Sequence, residues 1–180
     1  IVSAIKKSSS EGGVLQIHQE EEGIFIQKRD TFIEEKFIAT RLAELVAAGQ
    51  KSEKSKVDAI ANQVLSQDKY KIFDDIQKAA VIRSSREKIA ILTGGPGTGK
   101  TTITEAIAEI AELTSDGPVL LCAPTGKAAV RLAETTKKDD TSTLHKLLEA
   151  TMDGGSTSFK INGHNKLPAG CKVIIDEASM

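Results

Sequence analysis

The chain has 180 residues, of which 27% are charged and 39% hydrophobic, a composition typical of a soluble globular protein with a buried core. Its net charge of −1 excludes a polycation, so any nucleic-acid contact must come from a local patch. No apolar run approaches the length that spans a bilayer, and Cys122 and Cys171 lie in or beside apolar segments. Buried thiols in a reducing compartment are the simplest interpretation, so we expect a cytoplasmic protein without membrane contact.

The first 70 residues are predicted to form a separate N-terminal region. Alternating apolar residues at 14–18 and 24–27 flank a charged turn, a pattern typical of a hairpin. Helical periodicity follows at 31–48 and again at 57–65. His18 and the acidic turn are interpreted as surface residues. We expect a hairpin followed by a small helical region.

From residue 71 onward the pattern predicts a second domain, 71–180, in which strands and helices alternate. Strands are expected at 88–93, 118–123 and 173–175, and a loop at 153–158. Helices are expected at 74–86, 100–113, 126–134 and 143–150. This alternation indicates an α/β fold with a parallel sheet and crossover helices.

A glycine-rich segment matches the phosphate-loop pattern G-x-x-x-x-G-K-[ST] at every fixed position. Glycines let the backbone approach a ligand, and N–H groups at the start of the next helix would hold the phosphates of ATP. Lys100 would place a charge on the transferring phosphoryl group, and the Thr101 hydroxyl would bind Mg²⁺. A glycine turn that binds nothing is the alternative, which the flanking strand and helix disfavour. The predicted nucleotide site comprises Gly95, Pro96, Gly97, Thr98, Gly99, Lys100, Thr101 and Thr102.

Two acidic residues, Asp176 and Glu177, follow the last apolar strand. Because ligands of such folds lie at the carboxyl ends of strands, both can face the glycine loop. Asp176 would hold Mg²⁺ and Glu177 would orient and deprotonate the attacking water, giving a catalytic set with Lys100. Gln77 carries an amide that suits the adenine edge, although alone it would be interpreted as a surface residue of a helix.

Several segments together resemble the RecD-like branch of the superfamily 1 DNA helicases, which includes the alpha chain of exodeoxyribonuclease V. The similarity covers about residues 75–180, and the fold it implies is a RecA-like P-loop NTPase domain. Gln77 stands where that family recognises adenine, and 123–129 is the most specific segment. The matching runs are 77–81, 92–102, Cys122-Ala123-Pro124-Thr125-Gly126-Lys127-Ala128-Ala129, Ser142-Thr143-Leu144-His145 and Ile175-Asp176-Glu177-Ala178-Ser179-Met180.

The resemblance implies a motor that moves on single-stranded DNA, with 5′-to-3′ polarity and a role in recombination and repair. Hydroxyl, N–H and lysine groups are suited to phosphate contacts, which position DNA without reading its sequence. Residues 126–175 carry eight Lys/Arg and five Asp/Glu, an excess of +3 that modestly supports such a path. The implied DNA contacts are Pro124, Thr125, Gly126, Lys127, Thr143 and His145.

The family pattern needs a second motor domain, whereas the sequence ends at Met180, directly after the acidic pair, and opens on Ile1. We therefore expect an incomplete first motor domain that binds nucleotide weakly and neither turns it over well nor translocates. Other subunits of a nuclease–helicase complex are further partners that the resemblance allows. Two alternatives stay open: a P-loop ATPase without nucleic acid, and a nucleotide-gated binding subunit that unwinds nothing.

Overall fold

The computed structural model describes residues 13–21, 23–47, 54–95 and 97–180. The chain divides into two compact units, Ile1–Gln50 and Lys51–Met180. The domain boundary predicted near residue 70 stays a prediction, because packing alone does not show which parts fold independently. Pro96 and the final residue of the helix predicted at 31–48 lie outside the described residues.

The first unit contains a hairpin followed directly by a helix. Strands β1 (Leu15–Glu20) and β2 (Gly23–Lys28) pair antiparallel, with Ile17 opposite Ile26. Helix α1 (Arg29–Ala47) begins at the residue after β2. The hairpin and the helix predicted for this region are therefore confirmed, since both patterns are carried by local apolar periodicity.

The helical layer of the second unit consists of three helices and a short turn. These are α2 (Lys54–Leu65), a 3₁₀ turn (Asp68–Tyr70), α3 (Asp75–Arg86) and α4 (Lys100–Thr114). The three helices pack against one another and confirm the helices predicted here. Their apolar faces form one core, whose most buried members include Ala61, Val64, Tyr70, Phe73, Val81, Ile103, Ala106 and Ile110.

A three-stranded parallel sheet forms the rest of the core; the parallel arrangement was predicted, but its short strand Ser142–Thr143 was not. Strand β3 (Val119–Ala123) lies between β4 (Ser142–Thr143) and β7 (Lys172–Ile175). Helix α5 (Gly126–Thr136) makes the crossover from β3 to β4. Because both neighbours of β3 are parallel to it, the carboxyl ends of all three strands meet at one edge of the sheet. Apolar contacts join the sheet to the helices through Ala108, Leu121, Leu132 and Ile174.

The helix predicted at 143–150 and the loop predicted at 153–158 were both wrong in extent. Only α6 (Leu144–Leu147) is helical, and β5 (Ala150–Asp153) and β6 (Ser156–Phe159) then form a hairpin. The turn places Gly154 and Gly155 at φ values of 55° and 86°, a left-handed pair that favours two-residue hairpins. This turn lets the polar strands pair and overrides the loop-like composition.

The strand predicted at 88–93 is not formed. Residues 90–95 have no regular secondary structure, and the Ile91 side chain is 85% exposed. A strand exists only through hydrogen bonds to a neighbour, and β3 already has β4 on one side and β7 on the other. Among the described residues this segment has no strand partner, and although Ile91 is exposed, Leu92 packs against the core of the helical layer.

Candidate active site

The start of helix α4 is built to receive an anion. Its N-cap is Gly99, in the left-handed conformation at φ 75°, and no side chain caps the helix. The first N–H groups of a helix lack intrahelical acceptors, and the helix dipole favours negative charge there. By contrast, Asp74 caps α3 and Thr125 caps α5. The donors at the start of α4 are therefore left for a ligand such as phosphate.

Lys100 lies against the glycine loop that precedes it. Its Nζ donates to the carbonyl oxygens of Gly94 and Gly95, each at 2.7 Å. The Thr98 hydroxyl donates to the Gly95 carbonyl at 2.9 Å, which folds the loop back on itself. The ammonium group is thus held within the loop, where a phosphate could exchange for these carbonyl partners.

Gln77 is brought to the loop from helix α3. Its amide oxygen accepts from the Asp74 N–H at 3.0 Å, while the Asp74 carboxylate accepts from the Gln77 N–H at 2.8 Å. Its Nε2 donates to the Thr98 carbonyl at 3.1 Å. A Cβ on Gly99 would lie only 3.1 Å from that Nε2. Gln77 is half-buried at the phosphate loop and is not the surface residue that its local sequence alone suggests.

The acidic pair lies at the carboxyl edge of the sheet. The Asp176 N–H donates to the Cys122 carbonyl at 3.0 Å, which fixes Asp176 directly after β7. Glu177 has a φ of 53°, and its N–H donates to Asp176 Oδ1 at 3.0 Å. A non-glycine residue with positive φ is uncommon and often marks a functional site.

The direction of α4 puts the glycine loop at the same edge. Lys172 opens β7, and its Nζ donates at 2.7 Å to the hydroxyl of Thr114, which closes α4. Farther along, Ile174 of β7 packs against the apolar cluster that contains Ala108, six residues before Thr114 on α4, so the helix and the strand run in opposite directions. The start of α4 therefore lies toward the end of β7, and Lys100 and Asp176 share one side of the sheet.

The residues implied for DNA contact also gather at this edge. Ala123 and Thr143 are register partners of the parallel pair β3–β4. The Thr125 hydroxyl accepts from the Ala128 N–H at 3.3 Å and the Thr143 hydroxyl accepts from the Lys146 N–H at 3.2 Å. Both threonines therefore cap helices, and each hydroxyl keeps a hydrogen that it can donate to a phosphate oxygen.

The remaining implied contacts lie on the exposed starts of α5 and α6. Lys127 and His145 are exposed, and the His145 ring centroid is 6.1 Å from that of Phe159. A groove of about 600 Å³ runs between α5 and β4 beside them. Alanine and valine side chains line part of the groove, and its polar lining comprises Glu134, Lys137, Asp139, Thr141, Ser142, Thr143 and Lys146.

The donor set at the edge fits Mg²⁺ bound together with phosphate. Among the described residues no group of three or more His, Cys, Asp or Glu could hold a metal by itself. A hydroxyl at Thr101 and a carboxylate at Asp176 match the usual magnesium site, in which phosphate oxygens and water complete the coordination.

Among the described residues, no helix combines the length and the apolar character that a membrane span requires.

The parallel sheet, the uncapped helix after a glycine loop and the acidic strand end define a phosphate-loop nucleotide-binding domain. The family described as "AAA domain" matches residues 77–180, and the chain belongs to it. The match begins at Gln77, the residue that contacts the loop.

Relatives within this class are RecD proteins. The ATP-dependent RecD2 DNA helicase of Deinococcus radiodurans is 38% identical over 143 residues, covering 79% of this chain and 18% of that protein. The RecBCD enzyme subunit RecD of Mycobacterium tuberculosis is 37% identical over 129 residues, covering 60% of this chain and 22% of the relative. The corresponding RecD of Haemophilus influenzae is 36% identical over 128 residues, covering 59% and 20%. The chain spans about a fifth of the length of these relatives, and the resemblance to RecD-like helicases is confirmed.

Proposed function

We propose that this chain is the ATP-binding part of an ATP-dependent DNA helicase. One observation carries the proposal: the uncapped start of α4 has Lys100 inside its loop and Gln77 bonded to it, and α4 runs antiparallel to the strand that ends just before Asp176. The similarity to RecD proteins, among them an ATP-dependent RecD2 DNA helicase, supports helicase activity. The two free cysteines, one of them buried, agree with a reducing, cytoplasmic location.

The nucleotide would lie across the start of α4. The backbone N–H groups of residues 95 and 97–102 would hold its phosphates, while Lys100 would exchange carbonyl oxygens for phosphate oxygens. The free hydrogen and lone pair of the Gln77 amide would read the adenine edge. Affinity would thus come from the phosphates, and base preference from one side chain.

The metal and the water would be controlled from the strand end. A bound Mg²⁺ would supply positive charge that offsets the negative charge developing on the transferred phosphoryl group. The Thr101 hydroxyl and the Asp176 carboxylate would hold it. The exposed Glu177 carboxylate would accept the proton of the attacking water and set its direction.

Single-stranded DNA would pass along the exposed starts of α5 and α6. Thr125, Thr143 and the backbone around Gly126 would contact phosphates, and Lys127 and His145 would add charge and a polar ring. These contacts carry no sequence information, as a translocating motor requires. We take 5′-to-3′ polarity, the role in recombination and repair, and partner subunits of a nuclease complex from the family resemblance.

Strand displacement by the full-length protein tests the motor. Wild type should unwind a duplex with a 5′ single-stranded tail when ATP and Mg²⁺ are present, and Lys100→Ala should abolish unwinding. Unwinding that survives Lys100→Ala would refute the proposal. Absence of unwinding in both proteins, with ATP binding intact, would favour the alternative of a nucleotide-gated binding subunit.

A further inference from the structure

A cluster of polar contacts joins the turn before α3 to the phosphate-loop helix. The Tyr70 hydroxyl donates to Glu109 Oε2 at 3.0 Å, and Gln67 Nε2 donates to Glu109 Oε1 at 2.5 Å. Lys69 Nζ lies 2.9 Å from Glu109 Oε2 and 3.0 Å from Glu105 Oε1. We name these five residues the carboxylate clamp. Both oxygens of Glu109 are occupied by donors that come from one short segment.

The clamp is partly withdrawn from water, which strengthens its hydrogen bonds. Tyr70 is fully buried, and the Lys69 ammonium lies 4.6 Å from its ring centroid. Burial raises the pKa of Tyr70 to about 12, although the bond with Lys69 opposes this. Burial also works to raise the pKa of Glu109, but the bonds from Gln67, Lys69 and Tyr70 prevail and lower it. The carboxylate therefore stays charged and bonded.

A short, well-supported segment connects the clamp to Gln77. The Phe73 N–H donates to the Tyr70 carbonyl at 3.1 Å, and the Phe73 side chain is 4% exposed in the core. Asp74 comes next and caps α3 through its reciprocal bonds with Gln77. Although Ile72 between them is 78% exposed, a backbone bond, a buried ring and a capping box link Tyr70 to Gln77, so the clamp helps to fix where α3 begins.

Helix α4 and the loop before it contact both ends of the segment that runs from Tyr70 to Gln77. Glu109 lies nine residues beyond Lys100 on α4, roughly 14 Å along the helix axis. Gln77 returns to the start of α4 through its bond to the Thr98 carbonyl. The segment from the clamp to Gln77 is therefore attached to α4 at Glu109 and to the loop just before α4 at Thr98. A shift at the clamp would move the Gln77 amide, while the loop and Lys100 would stay on their own helix.

We propose that Tyr70 and Glu109 are positioning residues that hold the Gln77 amide at the phosphate loop and thereby set the site's preference for adenine. The inference rests on the proposed function, in which Gln77 reads the base. Nucleotide affinity then has two separate contributions. The clamp sets the preference for the base through Gln77, whereas the glycine loop sets the affinity for the phosphates.

Isothermal titration of the 180-residue chain with three ligands tests this, using ATP, GTP and inorganic tripolyphosphate, each with Mg²⁺. The variants are Tyr70→Phe and Glu109→Gln, which keep side-chain volume, with Gln77→Ala as the reference. Glu112→Gln is the matched control, because Glu112 lies one turn farther on α4 and pairs with Lys138 outside the clamp. We expect the clamp variants and Gln77→Ala to lower the ATP-to-GTP affinity ratio about tenfold, with unchanged tripolyphosphate affinity.

The possible outcomes separate the two claims. Clamp variants that lower the urea midpoint but keep the wild-type ATP-to-GTP ratio, or that weaken all three ligands equally, would overturn the positioning role. Equal binding of ATP and GTP by wild type would overturn it as well, while the phosphate site would stand. Wild type that binds none of the three ligands would overturn both this inference and the proposed function.

Discussion

The turn between α4 and β3 passes close to the start of β7, and a glycine makes the approach possible. A Cβ on Gly117 would lie 2.7 Å from the Ala169 carbonyl oxygen, 2.7 Å from the Gly170 carbonyl carbon and 2.8 Å from the Cys171 nitrogen. All three are backbone atoms, so no flexible side chain can move aside. Gly117→Ala must therefore push the turn away from the start of the strand that carries the acidic pair.

The cost follows from overpacking and lost hydrogen bonds. Overpacking of a tight site costs about 1–3 kcal/mol. Two bonds hold this contact, from Lys172 N–H to the Pro118 carbonyl at 3.0 Å and from the Ser115 hydroxyl to the Gly170 carbonyl at 2.9 Å. Weakening them lowers the free energy of unfolding further, by roughly 0.5–1.5 kcal/mol each. Alanine also restricts the unfolded chain, which offsets about 0.4–1 kcal/mol of the loss. We expect a net loss of about 3 kcal/mol, which lowers Tm by roughly 6–12 °C.

Urea unfolding followed by circular dichroism measures this loss. Gly163→Ala is the matched control, because a Cβ there would meet nothing within 4 Å, and it should change the free energy of unfolding by less than about 0.5 kcal/mol. If Gly117→Ala were as stable as Gly163→Ala, the turn would not pack against the start of β7, and the placement of the glycine loop and Asp176 at one edge of the sheet would lose its support.

Three further outcomes are expected. Burial raises the pKa of the Cys122 thiol to about 11, so only the half-buried Cys171 should react quickly with a disulfide reagent at pH 8; two fast thiols would contradict this. The pKa of Glu109 lies below its ordinary value of 4.5, so its carboxylate stabilises the fold above that pH and the benefit is lost as pH falls through the lowered pKa. Glu109→Gln should therefore be less stable than wild type at pH 7 in urea titrations but converge with it at acid pH; a constant difference would contradict it. Lys127→Ala should make the salt dependence of single-stranded DNA binding shallower by about 0.7 in log–log slope, whereas Lys138→Ala, beyond the far end of α5, should not; equal slopes would count against the DNA path.

Short sequence motifs and apolar periodicity correctly predicted the elements whose formation depends on neighbouring residues. The glycine loop, the helix that begins at Lys100 and the helix capped by Asp74 are each specified within about a dozen residues. The parallel order of β3 and β7 followed from alternation of strands and helices, because crossover connections allow few other arrangements. The candidate site could therefore be located from sequence at its loop and at its acidic strand end.

The features that were predicted wrongly or not at all depend on partners that are distant in the sequence or on how strands pair. The apolar run at 88–93 has strand-like composition, but no neighbour for it exists among the described residues. A loop was predicted at 153–158, within the hairpin Ala150–Phe159, because the strands of this hairpin are polar and its turn is glycine-rich. The contact of Gln77 with Thr98 spans 21 positions, and the clamp at Glu109 a longer stretch. No local periodicity encodes such contacts.

The most direct test of the nucleotide site is the affinity of the chain for Mg²⁺-ATP, measured by isothermal titration. Lys100→Ala removes the ammonium that now bonds the Gly94 and Gly95 carbonyls, whereas Lys88→Ala removes an equal charge from an exposed position before the loop. Loss of a charge-assisted phosphate contact should raise the Kd of Lys100→Ala by roughly 10- to 100-fold, while Lys88→Ala stays within about twofold of wild type. Equal affinities for the two variants would contradict the account, because the lysine in the loop would then have no part in holding phosphate.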